Sequence, residues 1–148
     1  MSRTLGLLAA LGALAALTGC GDAGPKLYPL TGKVTLDGAP LSPKPGETAF
    51  VEFAADAAAG NTSLHLPRGP IGPDGTYAVT TAERPGLEAG AWTARVVYQK
   101  EPDSDKGRYA PPKPLSAAKF SAFDTSGFRA TAGPDTPHSP DFAVTKAR

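Results

Sequence analysis

The sequence is poor in the residues that crosslink a protein or give it a strong charge. Its 148 residues include a single cysteine, Cys20, so no disulfide can form within the chain. Lysines and arginines number 15 against 14 aspartates and glutamates, which leaves a formal net charge of +1 at pH 7. Nucleic acids and anionic membranes attract clustered positive charge, and the sequence has no basic stripe or patch. We therefore expect a fold without disulfides and no nucleic-acid partner.

Long hydrophobic runs are also missing. The apolar run "LGLLAALGALAAL" covers residues 5–17, whereas a bilayer-spanning helix needs about 20 apolar residues. A short basic segment with Arg3 precedes the run, and small residues follow it. This order is typical of a secretory signal peptide, and a buried core helix is the alternative. We predict a cleaved signal peptide over residues 1–19.

The apolar run ends in "LTGC", residues 17–20. This tetrapeptide resembles the lipobox of bacterial lipoproteins, in which the peptidase cuts before the cysteine and acyl chains are attached to it. The resemblance implies lipidation of Cys20, and a stray buried thiol is the alternative. Two or more acyl chains make membrane attachment effectively permanent. By analogy with lipoprotein sorting, Gly21 is compatible with the outer membrane, so we expect a cell-envelope protein that faces the periplasm or the surface.

Behind a short tether, residues 20–28, the hydrophobic pattern has a period of two, which indicates half-buried strands. Asp37-Gly38 is suited to a tight hairpin turn because both residues tolerate positive φ angles. The stretch "AWTARVVYQ" has the clearest alternation and places Trp92 and Tyr98 on the core side. No helical pattern follows the leader. The predicted strands lie near residues 30–36, 47–55, 63–67, 76–81, 91–99, 127–132 and 141–146.

Several segments carry a resemblance to a known family. "LTGKVTLDGAPL", "GPIGPDGTYAVTT" and "LEAGAWTARVVY" occur in this order along the chain. Together they resemble small bacterial lipoproteins with a carboxypeptidase-regulatory-like, or transthyretin-like, domain. The resemblance implies an all-β, immunoglobulin-like or transthyretin-like Greek-key sandwich of about seven strands over residues 29–148. It implies no ligand, because its glycines and aspartates belong to turns.

The residues that could carry chemistry are few and scattered. His65 and His138 each lack a second histidine or cysteine at metal-ligand spacing. Glu101, Asp103 and Asp105 alternate like the start of a calcium loop, but Lys106 stands where such a loop needs glycine. We therefore predict no catalytic residue, no metal site and no cofactor.

These observations favour a non-enzymatic, membrane-anchored envelope lipoprotein whose sandwich is a structural or protein-interaction module. An edge strand or the long polar loop over residues 99–118 would contact an envelope protein. The alternative is a carbohydrate- or small-ligand-binding module, in which Trp92, Tyr98 and Tyr109 would form the binding surface.

Overall fold

A computed structural model describes residues 24–102, 110–135 and 139–148. The predicted signal peptide and Cys20 lie outside these residues. The described part of the chain is built from strands, with short 3-10 turns at Ala57–Ala59 and Ala118–Ser121. The strands are β1 Leu27–Tyr28, β2 Thr31–Leu36, β3 Ala39–Pro40, β4 Glu47–Ala55, β5 Arg68–Pro70, β6 Thr76–Ala78, β7 Thr80–Thr81, β8 Arg84–Pro85, β9 Leu87–Glu88, β10 Gly90–Lys100, β11 Lys113–Pro114, β12 Phe128–Ala132 and β13 Phe142–Val144.

Two sheets pack face to face. The larger has the order β11-β10-β4-β5-β7-β8, and β12 also pairs with β10. The smaller has the order β13-β2-β3, and β6 also pairs with β2. A separate ribbon joins β1 to β9. The predicted all-β sandwich is confirmed.

The longest pairing joins β4 and β10, antiparallel, with Val51 opposite Val96. Inward residues of β10 are buried at every second position, from Trp92 to Tyr98, as the alternation predicts. Trp92 is fully buried, and its indole N–H donates to the Glu88 carbonyl oxygen at 3.1 Å. The prediction that Trp92 packs in the core is therefore confirmed.

The turn after β2 also agrees with the sequence. Asp37 and Gly38 have φ angles of 51° and 86°, and the pairing of Leu36 with Ala39 closes a two-residue hairpin. Positive φ at both central positions is what the right-handed twist of a tight hairpin requires.

The third predicted strand is wrong. Residues 63–67 have no strand pairing in the structure, and the edge of β4 is instead covered by β5. The side chain of Asn61 holds the start of this segment, since its amide nitrogen donates to the Ala91 carbonyl oxygen at 2.8 Å. Its amide oxygen accepts from the Ser63 N–H at 3.0 Å. Side-chain contacts therefore hold the start of the segment, and at its last residue the Pro67 carbonyl oxygen accepts from the Phe53 N–H of β4 at 2.8 Å.

Two segments of the chain pair with both sheets and so connect them at the sides of the sandwich. Residues 76–81 pair with β2 through β6 and with β5 through β7, so this segment joins the two sheets. Residues 113–117 do the same at the other side, because β11 pairs with β10 and Ser116 bridges to Lys146. Beyond this second closure, β12 and β13 lie at the rim of their respective sheets.

Candidate functional site

The candidate functional site is the outer edge of β12, with which no strand of residues 24–102, 110–135 and 139–148 pairs. Ser126 positions this strand, because its hydroxyl donates to the Ala94 carbonyl oxygen at 2.6 Å and accepts from the Phe128 N–H at 3.2 Å. Gly127 between them has a φ of 73°, which favours glycine. The turn at Ser126 and Gly127 therefore fixes the register in which β12 pairs with β10.

The direction of the backbone groups along β12 follows from the register. Successive residues of a strand point their N–H and C=O groups to opposite edges. The Ala91 carbonyl oxygen accepts from the Asp56 N–H on the β4 side, so Trp92 points its backbone groups towards β12, where it faces Ala130. The N–H and C=O groups of Arg129 and Thr131 consequently point away from the sheet.

No strand in the described part of the chain pairs with that outer edge. Arg129 and Thr131 are exposed, while the inward residues Phe128 and Ala130 are half-buried against the core. Phe128 stacks on Phe120 with ring centroids 5.5 Å apart and meets Phe142 at 4.6 Å. The edge thus has backbone N–H and C=O groups that no described strand bonds, next to apolar side chains that are only half-buried.

A second feature is a groove of about 630 Å³ beside β2 and β6. Its polar rim includes Lys33, whose N–H donates to an Asp141 carboxylate oxygen at 2.9 Å. The Tyr77 hydroxyl donates to the Pro140 carbonyl oxygen at 2.6 Å, and burial, together with the Asp141 carboxylate, raises the pKa of Tyr77. These contacts tie the chain before β13 to the smaller sheet.

A third feature is a smaller groove of about 330 Å³, which lies where residues 113–117 connect the two sheets. The Tyr98 hydroxyl donates to a Glu47 carboxylate oxygen at 2.6 Å. This hydrogen bond lowers the pKa of Glu47, whereas burial and then the same bond raise the pKa of Tyr98 to about 12. Tyr98 is only 8% exposed, so it anchors the groove wall and presents little surface to a ligand.

The ion cluster around Glu52 was not predicted from the sequence. Glu52 lies on the outer face of β4, opposite to the core, and yet it is only 2% exposed. Arg68 donates to one of its carboxylate oxygens at 2.6 Å, and Arg95 donates to the other at 2.8 Å through Nε. Arg95 also lies over the Phe123 ring, 4.7 Å from its centroid. The segment after Ala118–Ser121 therefore covers this face.

Ser63, His65 and Glu88 form a cluster whose residue types resemble a hydrolase triad. The Glu88 carboxylate lies 2.6 Å from His65 Nδ1, and the Ser63 hydroxyl lies 3.5 Å from the same nitrogen. A relay needs the acid and the nucleophile on opposite ring nitrogens. This geometry does not provide that arrangement.

The structure does not assemble the remaining candidates into one site. Trp92 is buried and cannot stack on a sugar, which removes one of the three aromatic residues of the ligand-binding alternative. Glu101 accepts from the Thr48 hydroxyl at 2.8 Å. Asp103, Asp105, Tyr109 and His138 lie outside the described residues. Across residues 24–102, 110–135 and 139–148, no group of three metal-ligating side chains is close enough to hold a cation.

The fold is a β-sandwich domain in which no strand of the described residues pairs with the outer edge of β12. No helix in the described ranges is both long and apolar enough to cross a membrane. No family model, curated protein or solved structure matches the chain.

Proposed function

We propose that the protein is a non-enzymatic lipoprotein of the cell envelope whose sandwich binds an extended segment of a partner protein along β12. Acylated Cys20 would hold the domain at the membrane, with the outer membrane as the expected location. The binding part of the proposal is carried by one observation, that the outer edge of β12 pairs with no strand in the described part of the chain.

Strand addition suits this edge for two reasons. Arg129 and Thr131 offer two N–H donors and two C=O acceptors in the spacing that an added strand requires. Each such hydrogen bond contributes about 0.5–1.5 kcal/mol net, so the backbone alone gives weak binding. Apolar side chains of the partner could add affinity by covering the half-buried faces of Phe128 and Ala130.

The anchor part of the proposal depends on the leader and on the tether. The order of basic segment, apolar run and "LTGC" supports lipidation at Cys20. From Cys20 to Gly24 the chain makes four steps of about 3.3–3.6 Å each, so it extends by roughly 14 Å at most. The sandwich would therefore stay close to the bilayer and meet partners at its surface.

Thr131→Pro tests the edge, because proline removes an N–H that makes no ladder hydrogen bond within the described residues and blocks a neighbouring strand. A photo-crosslinking residue at position 129 of the full chain, in its native cells, is expected to yield a discrete adduct with another polypeptide. We expect Thr131→Pro to reduce the adduct about tenfold, which corresponds to the loss of one or two ladder hydrogen bonds.

Thr131→Ala is the matched control, since it removes the side chain and keeps the N–H, and it should preserve the adduct. A crosslinker at the exposed Ser42, remote from β12 in the sequence, should give none. Equal adduct yields from Thr131→Pro and Thr131→Ala would contradict binding at this edge. Unchanged fluorescence of the buried Trp92 shows that each variant is folded.

A further inference from the structure

Two leucines stand exposed on the segment before β5. Leu64 is 97% exposed and Leu66 58%, and every other large hydrophobic side chain in the described part of the chain is at least partly buried. A soluble domain gains nothing from such exposure, and neighbouring exposed apolar groups are typical of an interaction surface. Leu64 and Leu66 are called the leucine pair below.

The leucine pair is presented by a fixed segment. Asn61 is buried and ties the start of the segment to Ala91 through its side chain, and Pro67 is buried at the other end. Between the two leucines, His65 Nδ1 lies 2.6 Å from the Glu88 carboxylate. The contacts that hold the segment are therefore made by its polar and proline residues and not by the leucines.

The same contacts place the leucine pair beside the incoming tether. Glu88, the partner of His65, lies in β9 directly opposite Leu27 of β1. Arg84 reinforces this junction, because its guanidinium donates to the Pro25 carbonyl oxygen at 3.2 Å. One side-chain contact and one strand pairing thus connect the leucine pair to the point where the described chain begins.

We propose that the leucine pair inserts into the headgroup region of the bilayer beside the lipid anchor. This inference rests on the proposed lipidation of Cys20, which brings Gly24 to within roughly 14 Å of the membrane. The exposed side chains of Lys26 and Arg84 lie at the same junction and can contact anionic headgroups. The pair would then fix how the sandwich is oriented on the membrane.

A fluorescent label tests the insertion directly. The full lipidated chain carrying Leu64→Cys is labelled with an environment-sensitive dye, since the acylated Cys20 sulfur no longer reacts. It is then reconstituted into vesicles of phosphatidylcholine and phosphatidylglycerol that contain a nitroxide-labelled lipid. We expect a blue-shifted emission and strong quenching by the nitroxide lipid at position 64, and the same with Leu66→Cys.

Ser42→Cys is the matched control, because Ser42 is exposed and distant in sequence from the tether, and its label should stay unquenched. In a Thr62→Cys background, Leu64→Ser with Leu66→Ser should reduce quenching severalfold without unfolding, since both leucines are exposed.

The outcomes separate the inference from the function on which it rests. Protein that floats with the vesicles while the label at position 64 remains in water overturns the insertion alone. Protein that does not float overturns the anchor, and the insertion with it. A blue shift that grows with protein concentration and is insensitive to the nitroxide lipid would assign the pair to a second copy of the chain and overturn the proposal.

Discussion

Replacing Arg95 with methionine is expected to lower the free energy of unfolding by about 3 kcal/mol. The Glu52 carboxylate is 2% exposed, and Arg95 supplies both Nε and Nη2 to one of its oxygens. Methionine keeps much of the hydrophobic contact with Phe123 but leaves that carboxylate oxygen without a charged partner. Arg68 still donates to the other oxygen, but the desolvation of the buried charge is then only partly offset, which costs more than the Arg95 ion pair had contributed.

Urea unfolding of two further variants tests whether the loss comes from the buried charge. Arg68→Met should cost about 1 kcal/mol or less, because the Arg68 side chain is 60% exposed and its ion pair is solvent-screened. Glu52→Met combined with Arg95→Met should recover most of the lost stability, since the buried carboxylate is then absent. If the double variant were as unstable as Arg95→Met alone, the loss would come from packing, and the electrostatic explanation would be wrong.

Gly32→Ala is expected to destabilise the fold by about 3 kcal/mol, at the upper end of overpacking costs. A Cβ at this position would come within 3.0 Å of the Pro140 carbonyl oxygen and of the Tyr77 ring and hydroxyl. The carbonyl belongs to the backbone, so relief requires movement of the chain that leads into β13. We expect hydrogen exchange at Phe142 to accelerate as this segment shifts.

Two control variants separate the steric clash at position 32 from the strain of any glycine replacement and from the loss of the Tyr77 hydrogen bond. Gly46→Ala meets nothing within 4 Å and carries only the strain of a φ of 80°, so it should cost about 1 kcal/mol. Tyr77→Phe removes the hydrogen bond to Pro140 and should also cost about 1 kcal/mol. A loss in Gly32→Ala no larger than in Gly46→Ala would show that the contact with Pro140 does not restrict this position.

Much of the sandwich was predictable because period-two alternation and turn residues are local signals. The buried face of β10 and the turn at Asp37-Gly38 follow from such signals. The strand assigned to residues 63–67 failed because its apolar residues, Leu64 and Leu66, alternate as in a strand and yet point outward. Alternation places residues on opposite sides of an extended segment, but it does not specify which side faces the core.

The burial of Glu52 and the open edge of β12 could not be predicted, since both depend on which segments become neighbours. Glu52 is covered because the stretch around Phe123 folds over the outer face of β10, and that stretch has no period-two pattern that would indicate contact with the sheet. The sequence indicates β12 as a strand, but not that β10 is the one strand with which it pairs among the residues that the structure describes. Long-range pairing leaves no mark in the local pattern of either strand.

Intact-mass spectrometry of the native protein from the membrane fraction tests the central claim, attachment through Cys20, most directly. We predict a chain that begins at Cys20 and carries the added mass of two or more acyl chains, with the modification located on its first residue. A chain that retains residues 1–19, or one with an unmodified Cys20 thiol, would contradict a lipid-anchored envelope protein.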